Sequence, residues 1–130
     1  YSERTSLHEM FATLQNTIRR LAGDGPAVFI GRCSTDALSG RDGGPRALRT
    51  FIYASDAEAR CARVMETEGV GESEARRMIR HKDKEREQYF RYFTQKNWGD
   101  RTNYDIQLNT SVLPAQQCAE LLAEMARRLP

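Results

Sequence analysis

Apolar side chains near the start of the chain recur every three or four residues, which is the spacing of an amphipathic helix. The series comprises Leu7, Phe11, Leu14, Ile18 and Leu21. Ser6 precedes this series and Glu9 follows Ser6 by three residues, so the two residues match a capping box and predict the start of the helix. Glycines and a proline at residues 23–26 predict its end.

Short apolar runs farther along the chain predict three strands, at residues 27–30, 50–54 and 104–108. The intervening and following segments have helical spacing or capping residues, and the predicted helices cover residues 34–38, 56–68, 73–92 and 115–129. The glycine-rich residues 39–45 predict a surface turn. Because strands alternate with helices, the order predicts an α/β fold with a parallel sheet.

The composition is that of a globular protein, since 39% of the 130 residues are hydrophobic and 29% are charged. No apolar run approaches the roughly 20 residues of a membrane span, and the first residues lack the layout of a signal peptide. The net charge of +2 is too small to indicate a nucleic-acid partner. We therefore predict a single domain with neither a membrane nor a nucleic-acid partner.

The cysteines predict reduced thiols rather than disulfides. Cys33, Cys61 and Cys118 are odd in number and widely spaced, and no histidine lies at metal-ligand spacing from any of them. Free thiols are typical of cytoplasmic proteins. The sequence therefore predicts a cytoplasmic location and no metal site built from its own residues.

Arginines cluster in four stretches, at residues 41–49, 60–63, 76–91 and 127–128. The planar guanidinium group suits phosphate recognition, although a solvated helix face is the alternative explanation. The glycine-rich turn is not a phosphate-binding loop, because the sequence contains neither the pattern G-x-x-x-x-G-K-[ST] nor any Gly-Lys pair.

Six short segments follow one another in a characteristic order. They are Val-Phe-Ile-Gly-Arg-Cys at 28–33, Phe-Ile-Tyr-Ala-Ser at 51–55, Glu-Ala-Arg-Cys-Ala-Arg at 58–63, Asp-Lys-Glu-Arg at 83–86, Trp-Gly-Asp at 98–100 and Tyr-Asp-Ile-Gln-Leu-Asn-Thr-Ser at 104–111. Each segment alone is unspecific, but the ordered series resembles the cytidylate kinase-like family over roughly residues 11–125.

The resemblance implies a P-loop nucleoside monophosphate kinase, with a three-layer α/β fold around a parallel sheet. Such an enzyme transfers a phosphoryl group from ATP to CMP or dCMP with Mg²⁺. The chain, residues 1–130, would be the C-terminal two thirds of one kinase domain, and residues 70–100 would be its helical lid.

The resemblance also implies four substrate-binding residues. Arg32 matches the arginine of a Gly-Arg pair that contacts the nucleoside monophosphate, and Asp83 would hold the cytidine side of the acceptor. Arg60 and Arg63 match a pair of arginines on the helix that enters the lid.

Arg80 and Arg86 would be the catalytic residues, since arginines on a closing lid neutralise the charge on the transferred phosphoryl group and help to exclude water. Asp83 and Arg86 form an Asp-x-x-Arg motif and share one face of a helix because they are three residues apart. A plain surface ion pair is the alternative for these two residues.

The sequence departs from that family at two points. Cytidine-specific members often carry an aspartate after the Gly-Arg pair, whereas this chain has Cys33, whose thiol is a weak acceptor for the cytosine amino group. The first strand of the family and its glycine-rich loop with a lysine have no counterpart in residues 1–130. ATP and Mg²⁺ are therefore expected only where a segment bearing that loop is present.

In this family the first strand lies in the middle of the sheet, so the predicted strands at 27–30 and 50–54 would flank an empty position. Each buried, unpaired backbone group there would cost about 1–3 kcal/mol. The chain alone is therefore not expected to be stable in the family's arrangement.

Three arrangements remain open. A preceding segment has been omitted or cleaved, which agrees with the initial Tyr1; a second copy or partner donates the strand; or the two strands pair directly and leave no ATP site. The alternative function is a non-catalytic nucleotide-binding or interaction module derived from the kinase fold. A purely structural helical protein would explain the composition but not the ordered segments.

Overall fold

The computed structural model describes residues 2–40 and 44–130 as a mixed α/β protein. None of the helices in these two ranges combines the length and the apolar content that a membrane crossing requires. The elements are α1 (Ser2–Asp24), α2 (Ser34–Ala37), β1 (Thr50–Tyr53), α3 (Ala57–Glu68), α4 (Glu72–Thr94), a 3₁₀ helix (Arg101–Asn103), β2 (Ile106–Asn109) and α5 (Ala115–Arg127).

Strands β1 and β2 form a parallel sheet in which Thr50 lies opposite Ile106. The predicted strands at 50–54 and 104–108 are thus confirmed, apart from small shifts at their ends. A parallel pair needs a long crossover connection, and α3 with α4 supplies it.

An ion pair stabilises the start of this sheet. The guanidinium of Arg49 donates to the carboxylate of Asp105 from Nη2 to Oδ1 (2.9 Å) and from Nε to Oδ2 (3.2 Å), and the Arg49 backbone N–H donates to Oδ2 (2.8 Å). These hydrogen bonds from Arg49 hold the pKa of Asp105 below its ordinary value, against a smaller opposing effect of burial.

We expect the free energy of unfolding to fall as the pH drops below about 4. The folded-state pKa of Asp105 is depressed, so the stability that its ionised form contributes is present above the unfolded pKa and is lost as the pH falls through the folded pKa. Asp105→Asn should therefore weaken the protein at pH 7 and flatten the dependence of the urea midpoint on pH between about 5 and 2. The same dependence of the urea midpoint on pH in both proteins would contradict this role.

The strand predicted at residues 27–30 is wrong, because this segment has no ladder partner among the described residues. Val28 and Ile30 are 89% and 90% exposed, which is unusual for two consecutive same-face apolar residues of a strand. A strand exists only through hydrogen bonds to a neighbour, and the ladder hydrogen bonds of β1 in the described chain go to β2. The described residues thus form two of the three predicted strands.

Helix α1 begins at Ser2, so the prediction that Ser6 caps it is wrong. The polar residues before Ser6 have no helix breaker among them, and the helix continues through them. Helix α2 matches its prediction and is tied to α1, since Nε of Arg19 donates to the carbonyl of Ala37 at 2.9 Å. In the predicted turn at 39–45, residues 41–43 lie outside the described residues.

Helices α3 and α4 pack side by side as a hairpin. Asp56 starts α3 by accepting a hydrogen bond from the Ala59 backbone N–H (3.0 Å), and Gly69 ends it with a φ of +65°. Cys61 of α3 and Ala75 of α4 are 2% and 0% exposed, because small side chains let the two helices approach closely. This hairpin positions most of the residues discussed below.

The turn after α4 packs on the sheet through an aromatic group. The ring of Phe51 lies 5.2 Å from that of Trp98 and 5.0 Å from that of Tyr104. The backbone N–H of Gly99 donates to the Tyr104 hydroxyl at 3.2 Å. Trp98 is therefore a packing residue.

Gly99→Ala is expected to destabilise the protein by about 1–2 kcal/mol. Gly99 has a φ of +82°, and a Cβ atom there would come within 3.3 Å of Phe51 Cζ. Chemical denaturation measures the effect. Gly23→Ala is the control, because Gly23 lies in α1 with open space around it, and alanine there should be neutral or stabilising. Equal effects of the two substitutions would refute this account of Gly99.

Candidate functional site

Three of the predicted site residues meet where α3 packs against α4. Arg60 of α3 donates two hydrogen bonds to Asp83 of α4, from Nη1 to Oδ2 and from Nη2 to Oδ1, both at 2.6 Å. Arg86 lies one turn beyond Asp83 and donates from Nη1 to Oδ1 at 3.3 Å. We call these three side chains the arginine–aspartate cluster.

The cluster is partly shielded from solvent and carries a net positive charge. The side-chain exposures are 26% for Arg60, 33% for Asp83 and 56% for Arg86. Hydrogen bonds from Arg60 hold the pKa of Asp83 below its ordinary value, and the same bonds raise the pKa of Arg60. Arg60 and Asp83 are therefore ionised at neutral pH, and the guanidinium groups of Arg60 and Arg86 face one carboxylate.

Arg32 projects from a strained turn that follows residues 26–30. The φ angles of Gly31, Arg32 and Cys33 are +69°, +57° and +55°, and the Ser34 N–H donates to the Gly31 carbonyl at 3.1 Å. A left-handed conformation is uncommon for residues other than glycine and costs on the order of 1–3 kcal/mol per residue. Such strain clusters at functional sites, and the role of Arg32 stays a prediction.

The charge of Arg32 acts on Tyr89 of α4, although no hydrogen bond joins Arg32 to the cluster within the described ranges. Burial raises the pKa of Tyr89, the Cys33 thiol raises it further, and the nearby charge of Arg32 opposes both. Tyr89 follows Arg86 by three residues on α4. The side chain of Tyr89 is 38% exposed, and no sequence signal links it to Arg32.

Arg63 and Arg80 are not part of the cluster. Both are exposed, and neither has a hydrogen-bond or ion-pair partner in the part of the chain that the structure describes. Arg63 lies one turn after Arg60 on α3, and Arg80 lies one turn before Asp83 on α4. They flank the cluster along their helices.

Cys33 is buried rather than presented to a ligand. It is 7% exposed and precedes the first turn of α2. Burial, with a further contribution from Asp36, raises the pKa of the Cys33 thiol to about 11, so it is uncharged at neutral pH.

Polar side chains gather at the carboxyl ends of β1 and β2, where parallel sheets usually bind ligands. Oδ1 of Asn109 accepts the N–H groups of Ser55 (3.2 Å) and Ser111 (3.0 Å), and its Nδ2 donates to the Ser55 hydroxyl (2.8 Å). The Ser111 hydroxyl accepts the Asp56 N–H at 2.9 Å. Because these groups satisfy one another, they stabilise the end of the sheet and the start of α3.

The described residues contain no group of three or more His, Cys, Asp or Glu side chains arranged to hold a metal ion. This part of the chain also lacks a glycine-rich loop with a lysine. The residues present therefore do not fit the phosphates of ATP or a Mg²⁺ ion bound to them.

Comparison with known proteins shows the family of the chain, and solved structures are similar to it. The family model described as the cytidylate kinase-like family matches residues 1–112. A crystal structure of an uncharacterized protein from Eubacterium ventriosum ATCC 27560 is similar, with 30% sequence identity and a TM-score of 0.78. The similarity covers 87% of this chain but only 62% of that one. Among curated proteins, none matches the sequence.

Proposed function

Because the chain belongs to the cytidylate kinase-like family, we propose that it forms the acceptor-binding and lid part of a nucleoside monophosphate kinase. The reaction would move a phosphoryl group from ATP to CMP or dCMP. The arginine–aspartate cluster, which lies inside the matched residues, is the observation that carries this proposal. It provides a positively charged group at the site where the family's Asp-x-x-Arg motif occurs.

The substrate-binding residues would be Arg32, Arg60, Arg63 and Asp83. Phosphoryl transfer depends mainly on positioning and on neutralising charge on the transferred group, and guanidinium groups do both. A strained turn presents Arg32, and the cluster presents Arg60. Arg63 is an exposed arginine one helical turn after Arg60. It would join Arg32 and Arg60 around a bound phosphate.

Arg80 and Arg86 would be the catalytic arginines on the lid, residues 70–100. The lid would begin at the short link between Gly69 and Gly71 that joins α3 to α4. Closure of such a lid excludes water and brings fixed charges to the reacting groups. The exposed side chains of both arginines are consistent with a role that develops only when substrate is bound.

The phosphate-binding loop would come from outside this chain, together with its own strand. The free edge of β1 and the exposed Val28 and Ile30 support this arrangement, since a strand inserted there would pair with β1 and cover both side chains. The result would be the three-layer sheet of a P-loop kinase. A preceding segment of the same polypeptide or a second chain could supply the strand.

A kinase assay tests the proposal. A protein that carries this chain with a glycine-rich loop and its lysine should transfer phosphate from ATP to CMP or dCMP in the presence of Mg²⁺. The same protein with that lysine replaced by alanine is the control and should lose transfer. If the intact protein phosphorylates no nucleoside monophosphate, the proposal fails.

A non-catalytic nucleotide-binding module is the second candidate, favoured by the absence of any Gly-Lys pair in this sequence. It predicts that calorimetry detects CMP binding to this chain but no ATP binding. The kinase proposal makes the same prediction for this chain alone, so the two candidates differ only in the transfer assay. Transfer in that assay would rule out the module.

A further inference from the structure

Asp83 and Cys33 occupy the two positions that are expected to recognise cytidine, but the contacts of both residues differ from that expectation. The family resemblance assigns the cytidine side of the acceptor to Asp83, and cytidine-specific members often add an aspartate at the position of Cys33. In this chain, one of these positions holds a carboxylate already bound by arginines, and the other holds a buried thiol.

The Asp83 carboxylate has little capacity left for a ligand. Each of its oxygens accepts a hydrogen bond of 2.6 Å from Arg60, and Oδ1 also accepts one of 3.3 Å from Arg86. Charge-assisted bonds of this kind are roughly twice as strong as neutral ones. These three hydrogen bonds use most of the roughly four acceptor positions of the carboxylate, so a ribose hydroxyl or a cytosine amino group would compete with the guanidinium groups for Asp83.

Cys33 cannot replace the missing aspartate. It is 7% exposed and uncharged at neutral pH, and a thiol is a weak hydrogen-bond acceptor. Neither position therefore provides a free carboxylate for the amino group that distinguishes cytosine from uracil.

The same contacts leave the arginines well prepared for phosphate. A guanidinium group has five N–H donors in a fixed plane, and Asp83 occupies two of those of Arg60. Asp83 thus fixes the orientation of Arg60 and holds Arg86 beside it, while two positive charges face one negative charge. The resulting net charge of +1 favours a phosphate anion beside the cluster.

We infer that Asp83 is a positioning residue that holds Arg60 and Arg86 for the acceptor phosphate, so that the site accepts nucleoside monophosphates with little regard to the base. This inference rests on the proposed function and narrows its substrate class. It moves Asp83 from contact with cytidine to support of the arginines.

Calorimetry with CMP, UMP, AMP, GMP and cytidine tests the substrate class, on the protein of the kinase assay that carries this chain with the glycine-rich loop. The four monophosphates should bind with dissociation constants within about threefold of one another, and cytidine should bind at least about 100-fold more weakly because it lacks the phosphate. Binding of CMP alone, or by more than about tenfold over the others, overturns the inference but leaves the proposed function standing. Binding of none of them overturns both.

Asp83→Asn tests the positioning role. The neutral amide cannot hold two guanidinium groups, so the dissociation constants of all four monophosphates should rise by one common factor of about ten. A rise for CMP alone would show a direct contact with the base or sugar, and no change would show no role; either result overturns the inference. If this variant does not fold, the comparison of the four monophosphates in the unmodified protein still tests the inference.

Glu58→Gln is the matched control. Glu58 of α3 pairs with Arg76 of α4 at 2.8 Å, so it joins the same two helices without touching the cluster. This variant should keep all four dissociation constants within about twofold of those of the unmodified protein. An equal loss in both variants would mean that Asp83 acts only by stabilising the helix hairpin, which would also overturn the inference.

Discussion

Arg32→Ala should weaken CMP binding about 10–100-fold, because a charge-assisted hydrogen bond to phosphate is worth about 1.5–3 kcal/mol and each 1.4 kcal/mol is tenfold. Arg32 lies outside the cluster, and its charge acts on Tyr89 of α4, so its guanidinium would add a second phosphate contact to those of the cluster. The measurement is calorimetric titration of this chain with CMP.

Folding should change little in this variant, because the Arg32 side chain is exposed and the strained backbone conformation is equally available to alanine. Arg20→Ala is the control, since Arg20 is an exposed arginine of α1 whose loss removes the same charge elsewhere. Unchanged CMP affinity in Arg32→Ala would count against both the kinase and the binding module. Equal losses of CMP affinity in the two variants would mean that Arg32 acts only through the net charge of the chain.

Phe90→Ala should lower the free energy of unfolding by about 3–5 kcal/mol, a large part of the stability of a small domain. Phe90 is 5% exposed, so its ring is buried where α4 packs against the rest of the described chain. Removing its ring would leave a void that small neighbouring side chains cannot fill. Urea denaturation at pH 7 measures the change.

Leu121→Ala gives the comparison for Phe90. Leu121 lies on α5 and is 41% exposed, so its truncation should cost less than about 1 kcal/mol. If Phe90→Ala cost no more than Leu121→Ala, the ring of Phe90 would not have the stabilising role that its burial indicates.

Local patterns in the sequence were sufficient to predict most of the helices and strands. The helices carry their spacing and capping residues within a few neighbours, and the strands at 50–54 and 104–108 are bounded by polar turns. The segment at 27–30 has the same apolar character, but the residue types alone do not show whether a partner strand is present. Strand formation depends on that non-local partner, which explains the error.

The same distinction applies to the candidate site. Asp83 and Arg86 are three residues apart, so helical geometry alone predicts their contact. The bidentate contact of Arg60 with Asp83 spans 23 residues and depends on how α3 packs against α4. The proximity of Arg32 to Tyr89 depends on a left-handed turn at two residues other than glycine, which propensity does not predict.

Because the described residues leave one edge of β1 without a partner strand, the stability of this chain depends on what binds to that edge. Backbone groups along that edge have no ladder partner among the described residues, and Ile52 of the same strand is 48% exposed. Any strand that binds there would bind the folded chain and not the unfolded one, so it would raise the melting temperature in proportion to the logarithm of its concentration. Nucleotide affinity and sheet completion would then be coupled, and each would strengthen the other by the same factor.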